Sequence, residues 1–146
     1  MNIMGTSVKI TLTVEAYNLF KNGKPKEITN GEVLTLSDTN KGCAPGGRIE
    51  NFQSDVYIGQ EVIWDATCKY PKDDDHEYLV KIERISRKLD FFEEGFAATD
   101  GIVRKRLSGN ARLVGQIYEY LINFSVRDPK GECKYFEIDP KMKANT

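Results

Sequence analysis

The chain opens on an alternating pattern. In SVKITLTVEAY, Val8, Ile10, Leu12, Val14 and Ala16 take one side of a period of two, and Lys9, Thr11, Thr13 and Glu15 take the other. Strict alternation with β-branched residues predicts a half-buried strand. KNGKP follows, a turn signal built on Asn22-Gly23 and Pro25. GEVLTLSD predicts a second strand, and TNKGCAPGGRIENFQSD, with Gly42, Pro45, Gly46 and Gly47, a loop. DVYIGQEVIWDATC reads as strand, tight turn and strand about Gly59-Gln60. YPKDDDH is the next loop. In EYLVKIERI, Tyr78, Val80 and Ile82 share one face, while Lys81 and Glu83 share the other.

The stretch KLDFFEEGFAATDGIVRKRLSGNARLVG has the weakest period. Phe91, Phe92 and Phe96 are expected to pack inward, in a long connection with one short strand at GIVRKRL. QIYEYLINFSVRD reads as a single strand, PKGE as a turn and CKYFEID as its hairpin partner; Pro140 and KMKANT then read as a frayed tail. About seven to eight short strands, turn signals at roughly 8–12-residue spacing and no long amphipathic helix define an all-β class. The expected architecture is an antiparallel two-sheet β-sandwich forming a single domain over residues 1–146.

A chain of 146 residues can bury a core without a disulfide or a metal. Lys+Arg 21 against Asp+Glu 22 gives a net charge of −1, so no global field draws in nucleic acid or an anionic membrane. MNIMGTSVKITLTVEAY lacks the basic segment and unbroken apolar run of a secretory signal. No stretch approaches the ~20 apolar residues that span a bilayer. Cys43, Cys68 and Cys133 are odd in number, without C-x-x-C spacing, which suits free thiols in a reducing cytoplasm.

VYIGQEVIWDA is similar to the segment of cupredoxin-like domains in which a Gly turn precedes a V-x-W strand, and IYEYLINF is similar to their late Tyr-x-Phe-x-Cys strand. An immunoglobulin-like Greek key suits the same strand pattern. The ending YFEIDPKM resembles the ends of uncharacterised bacterial β-sandwich proteins. The resemblance implies a sandwich scaffold without its copper. A blue-copper centre requires two imidazoles and a thiolate; this chain has His 1, and Ile122 stands where the family places the thiolate. No cofactor is expected.

Three stretches carry candidate chemistry. Asp73, Asp75 and His76, within DDDH, offer metal-ligand types, but adjacent aspartates diverge and the spacing is not that of a Ca²⁺ loop; a solvated turn is the expectation. Cys43, in the Gly-rich KGCAPGG, is a nucleophile only if a base such as His76 reaches it through the fold. Arg104, Lys105 and Arg106, with Arg112, form a basic patch too small to hold nucleic acid alone at physiological salt. Trp64, Tyr78, Phe91, Phe92, Tyr118, Tyr120 and Phe124 are read as core, Trp64 above all. The expectation is a non-catalytic cytoplasmic binding or assembly module, acting through a protein partner or self-association. The alternatives are an enzyme using Cys43 or His76 in a cleft, and a divalent-metal binder at Asp73–His76.

Overall fold

The computed structural model describes residues 7–22, 33–40, 42, 48–86, 91–93 and 98–146. In chain order the elements are Val8–Val14 (β1), the helix Ala16–Asn22 (α1), Leu34–Asp38 (β2), Gln53–Tyr57 (β3), Glu61–Cys68 (β4), Leu79–Ser86 (β5), Ala98–Thr99 (β6), Ile102–Arg106 (β7), Ile117–Glu119 (β8), Leu121–Arg127 (β9), Cys133–Ile138 (β10) and Lys141–Asn145 (β11). Single 3₁₀ turns occupy Ile49–Asn51 and Ala111–Leu113.

The all-β class holds, and the pairing differs from the expected one. The described strands fall in three sheets, ordered β2-β1-β4-β7-β6, β10-β9-β5 and β3-β11-β8. Two pairings are parallel, β1 with β4 and β3 with β11. Two of the three sheets are therefore mixed and only β10-β9-β5 is antiparallel throughout, where a purely antiparallel two-sheet arrangement of seven to eight strands was expected. The inward residues of all three sheets meet in one hydrophobic cluster.

Local sequence explains most of the elements. β1 buries Val8, Ile10, Leu12 and Val14, as its alternation requires. Ala16 continues that alternation in sequence, but the chain has already turned into α1, which buries Ala16, Leu19 and Phe20. Gly59 sits at φ 74°, a conformation that favours glycine, and the turn around it does not make a hairpin. It hands the chain from β3, beside β11, to β4, between β1 and β7. In β5 the register shifts between Ile82 and Arg84. The extra residue, Glu83, lets Val80, Ile82 and Ile85 all face the core despite their spacing.

Asp100-Gly101 makes a two-residue hairpin turn between β6 and β7, with φ of 53° and 84°. A Cβ on Gly101 would lie 2.9 Å from Lys81 Cγ. Phe91 is buried and Phe92 partly so, as expected; Phe96 lies outside the described residues.

The end of the chain corrects two expectations. QIYEYLINFSVRD is two strands, because its antiparallel ladder bends in the middle. β9 pairs with β10, β8 pairs with β11, and between them Tyr120 donates its N–H to Pro140 O at 3.1 Å. Pro140 has no N–H to offer the ladder, so the hairpin passes from one sheet into the next at this point. The residues read as a frayed tail are β11, the middle strand of its sheet. Met142 and Ala144 are fully buried, and Lys141 and Lys143 alternate with them.

Candidate functional site

The DDDH stretch lies in a continuous turn from Pro71 to Glu77. Asp75 alone is buried there. Its Oδ1 accepts the N–H of Tyr17 at 2.8 Å and its Oδ2 that of Tyr70 at 2.9 Å. The backbone closes around it: Asp75 N–H donates to Tyr70 O, and Tyr78 N–H to Asp75 O. Tyr17 lies in the first turn of α1, whose N–H groups lack partners within the helix. Asp75 thus caps the helix from a distant loop. Asp73, Asp74 and His76 point to solvent. Among the described residues no group of three or more His, Cys, Asp and Glu side chains could hold a metal ion.

This cap builds one wall of an open groove of about 450 Å³. Tyr17, Phe20 and Lys21 come from α1, Tyr78 from the entry to β5, Lys134 from β10, and Asp128, Pro129 and Lys130 from the β9–β10 turn. The Tyr78 ring meets Tyr17 and Phe20 edge to face, each at 6.0 Å between centroids. Lys21 Nζ lies 4.8 Å from the Tyr17 ring. Lys134 Nζ lies 4.3 Å from the Phe20 ring and donates to Phe20 O at 2.8 Å. Such contacts hold an ammonium against an aromatic face while leaving it reachable from water. Asp128 Oδ1 accepts the N–H groups of Lys130 and Glu132, which fixes the turn.

The electrostatics suit recognition. Burial, then the charge of Asp128, raises the Tyr78 phenol above its usual range, against the opposing pull of Lys21. The hydrogen bond to Tyr17 raises Lys21. At neutral pH the phenol stays protonated and Lys21 stays charged. The groove therefore presents ammonium groups beside an aromatic wall, a surface for an anionic group attached to an apolar body.

The other candidates are dispersed. Arg104 reaches Glu61 at 3.4 Å, and Arg106 donates to Gly59 O at 2.9 Å and faces Glu93 at 3.5 Å. Lys105 lies 5.8 Å from the Phe92 ring. Arg112 is exposed in its 3₁₀ turn. Cys68 and Cys133 are free thiols. Burial, then the charge of Asp75, pushes Cys68 up to about 11. Cys43, whose role as a nucleophile required a base such as His76 to reach it, lies outside the described residues. Sequence reasoning missed the groove. Its signal was Tyr17, Phe20 and Lys21 at helical spacing, hidden because the preceding alternation ran on to Ala16.

No protein-family model matches the chain, and no curated protein matches it in sequence. In fold it is a mostly β protein of a kind already seen in bacteria. It is similar to the inclusion body protein PixA from Burkholderia cenocepacia J2315, whose crystal structure superposes with a TM-score of 0.67. The match covers 99% of this chain and 98% of that chain at 10% sequence identity. At that identity the likeness shows the fold alone. No helix among the described residues is long and apolar enough to cross a membrane.

Proposed function

We propose that the protein is a non-catalytic assembly module that associates with copies of itself in the cytoplasm. The observation that carries this reading is the likeness along nearly the whole of both chains to an inclusion body protein. The groove suits it, since it offers charged and aromatic groups for contact with a partner. The scaffold we infer is a sandwich of cupredoxin-like or immunoglobulin-like type, in which β2-β1-β4-β7-β6 faces the other strands through Trp64 against Tyr120. Ile122, which stands where the copper-binding family has its thiolate, is buried in β9. A divalent-metal site at Asp73–His76 has less support, because two backbone N–H groups already occupy the Asp75 carboxylate. An enzyme using Cys43 or His76 in a cleft has less again, because His76 faces solvent.

The test is the molar mass of the purified chain by sedimentation equilibrium over a wide concentration series. A mass that rises reversibly above 16.6 kDa is the expected result. A monomer at every concentration overturns the reading.

A further inference from the structure

The lysine groove and the acidic turn are neighbours on one surface. Asp75 sits inside the turn and holds Tyr17 of the groove, and Tyr78 ends the turn and lines the groove. On one side stand Lys21, Lys130 and Lys134, opposed by Asp128, one of whose oxygens is already held by backbone N–H groups. On the other stand Asp73, Asp74 and Glu77, all exposed, opposed by Lys72. A patch with adjacent positive and negative halves complements a copy of itself turned by a two-fold rotation. The acidic turn of one protomer then faces the groove of its partner, and the partner's turn faces the first groove.

We infer that this patch is the self-association surface, in which Asp73, Asp74 and Glu77 of one copy dock against Lys21, Lys130 and Lys134 of another. This rests on the assembly reading above. Two further features suit a docking surface. The turn is held rigid by Asp75, so little order has to be gained on contact. The aromatic wall of Tyr17, Phe20 and Tyr78 supplies apolar area beneath the charges. An edge-to-edge alternative is less suited at β10, because Lys134 on that edge strand sets a charge over the Phe20 ring beside the open edge. Contacts of this kind are weak singly and screened by salt, so the association is reversible and falls as ionic strength rises.

The test is a charge swap read by sedimentation equilibrium on the full chain. Reversing the turn (Asp73→Lys with Asp74→Lys) or the groove (Lys21→Glu with Lys130→Glu) is expected to weaken association about tenfold or more, because like charges then meet across the axis. Combining all four restores it to within about threefold, because opposite charges face each other again. All six side chains involved in the swap or in Glu77 and Lys72 are exposed, and thermal unfolding verifies that each variant is folded. Association that persists unchanged in both reversed variants overturns this surface and leaves the assembly reading standing. A wild-type chain that never associates overturns both. A chain that stays monomeric yet binds benzoate, with chemical-shift changes at Tyr17 and Tyr78, assigns the groove to a small anion and also overturns the inference.

Discussion

Asp75 and Tyr17 are joined by a 2.8 Å hydrogen bond across 58 positions of sequence. The bond fixes the start of α1 to the turn before β5, so one wall of the groove rests on a single carboxylate.

Asp75→Ala should therefore cost about 3 kcal/mol, since it leaves the N–H groups of Tyr17 and Tyr70 without their charged acceptor. Asp75→Asn keeps one acceptor oxygen and should cost about half as much. Urea unfolding measures both. A change below about 0.5 kcal/mol for the alanine variant, the level of an ordinary surface substitution, would remove the cap from the account.

Trp64 is fully buried, and its Nε1–H donates to Tyr120 Oη at 3.1 Å. The indole also packs edge to face against Phe92 at 5.7 Å. Trp64→Ala should cost on the order of 3–5 kcal/mol from lost transfer and an unfilled cavity. Tyr120→Phe should cost about 1–3 kcal/mol, because it leaves a buried donor unpaired. Native emission should be blue-shifted and insensitive to iodide. Ready quenching in the folded protein would contradict the burial.

Cys68 gives a pH dependence of definite sign. Its Sγ–H donates to Tyr78 O at 3.5 Å, and its pKa rises from 9.0 to about 11 on folding. The folded state favours the protonated thiol, so this contribution is fully present below pH 9.0 and is lost as pH rises towards about 11. Cys68→Ala should flatten the fall in stability over that window. In the native protein, iodoacetamide at pH 8 should alkylate Cys68 roughly a hundredfold more slowly than a thiol of ordinary pKa. Alkylation of Cys68 at the rate of a free peptide thiol would refute this.

Removal of residues 141–146 should prevent folding. The loss takes Met142 and Ala144 from the core and separates β3 from β8. Circular dichroism and amide exchange on the truncated chain decide the matter. A cooperative unfolding transition near the wild-type midpoint would show that β11 is dispensable.

Much of the secondary structure was legible because alternation is local. β1, β2, β4, β5, β7, β9 and β10 follow from their apolar positions, and the burial of Trp64 follows from its place in a strand. Partnership was not legible. Nothing around Gly59 says that its two strands join different sheets, and Pro140 marks the bend of a hairpin only once the opposite strand is known. The last strand was overlooked because Lys141, Lys143 and Asn145 make a polar end, although Met142 and Ala144 keep the period of two. Asp100-Gly101 was a strong hairpin signal, obscured by the two-residue length of β6. At the candidate site, DDDH lies in a turn with Asp73, Asp74 and His76 exposed and Asp75 buried, where a wholly solvated turn was expected. The singular role of Asp75 was invisible, because its partner Tyr17 is brought to it only by the fold.

The placement of β11 governs the order of events during synthesis. Asn145 donates to Val56 O across 89 positions, and among the described strands β11 is the only hydrogen-bonded neighbour of β3. At about 5–20 residues per second, β3 waits on the order of 5 to 20 seconds for its partner to be translated. A hairpin closes in about 1–10 microseconds, so the delay comes from the ribosome rather than from the pairing reaction. Throughout that interval the nascent chain carries an open strand edge beside an unfinished core. Many such chains on one messenger would stand close together in that state, which gives translation rate a direct hold on how much of the protein reaches its native fold.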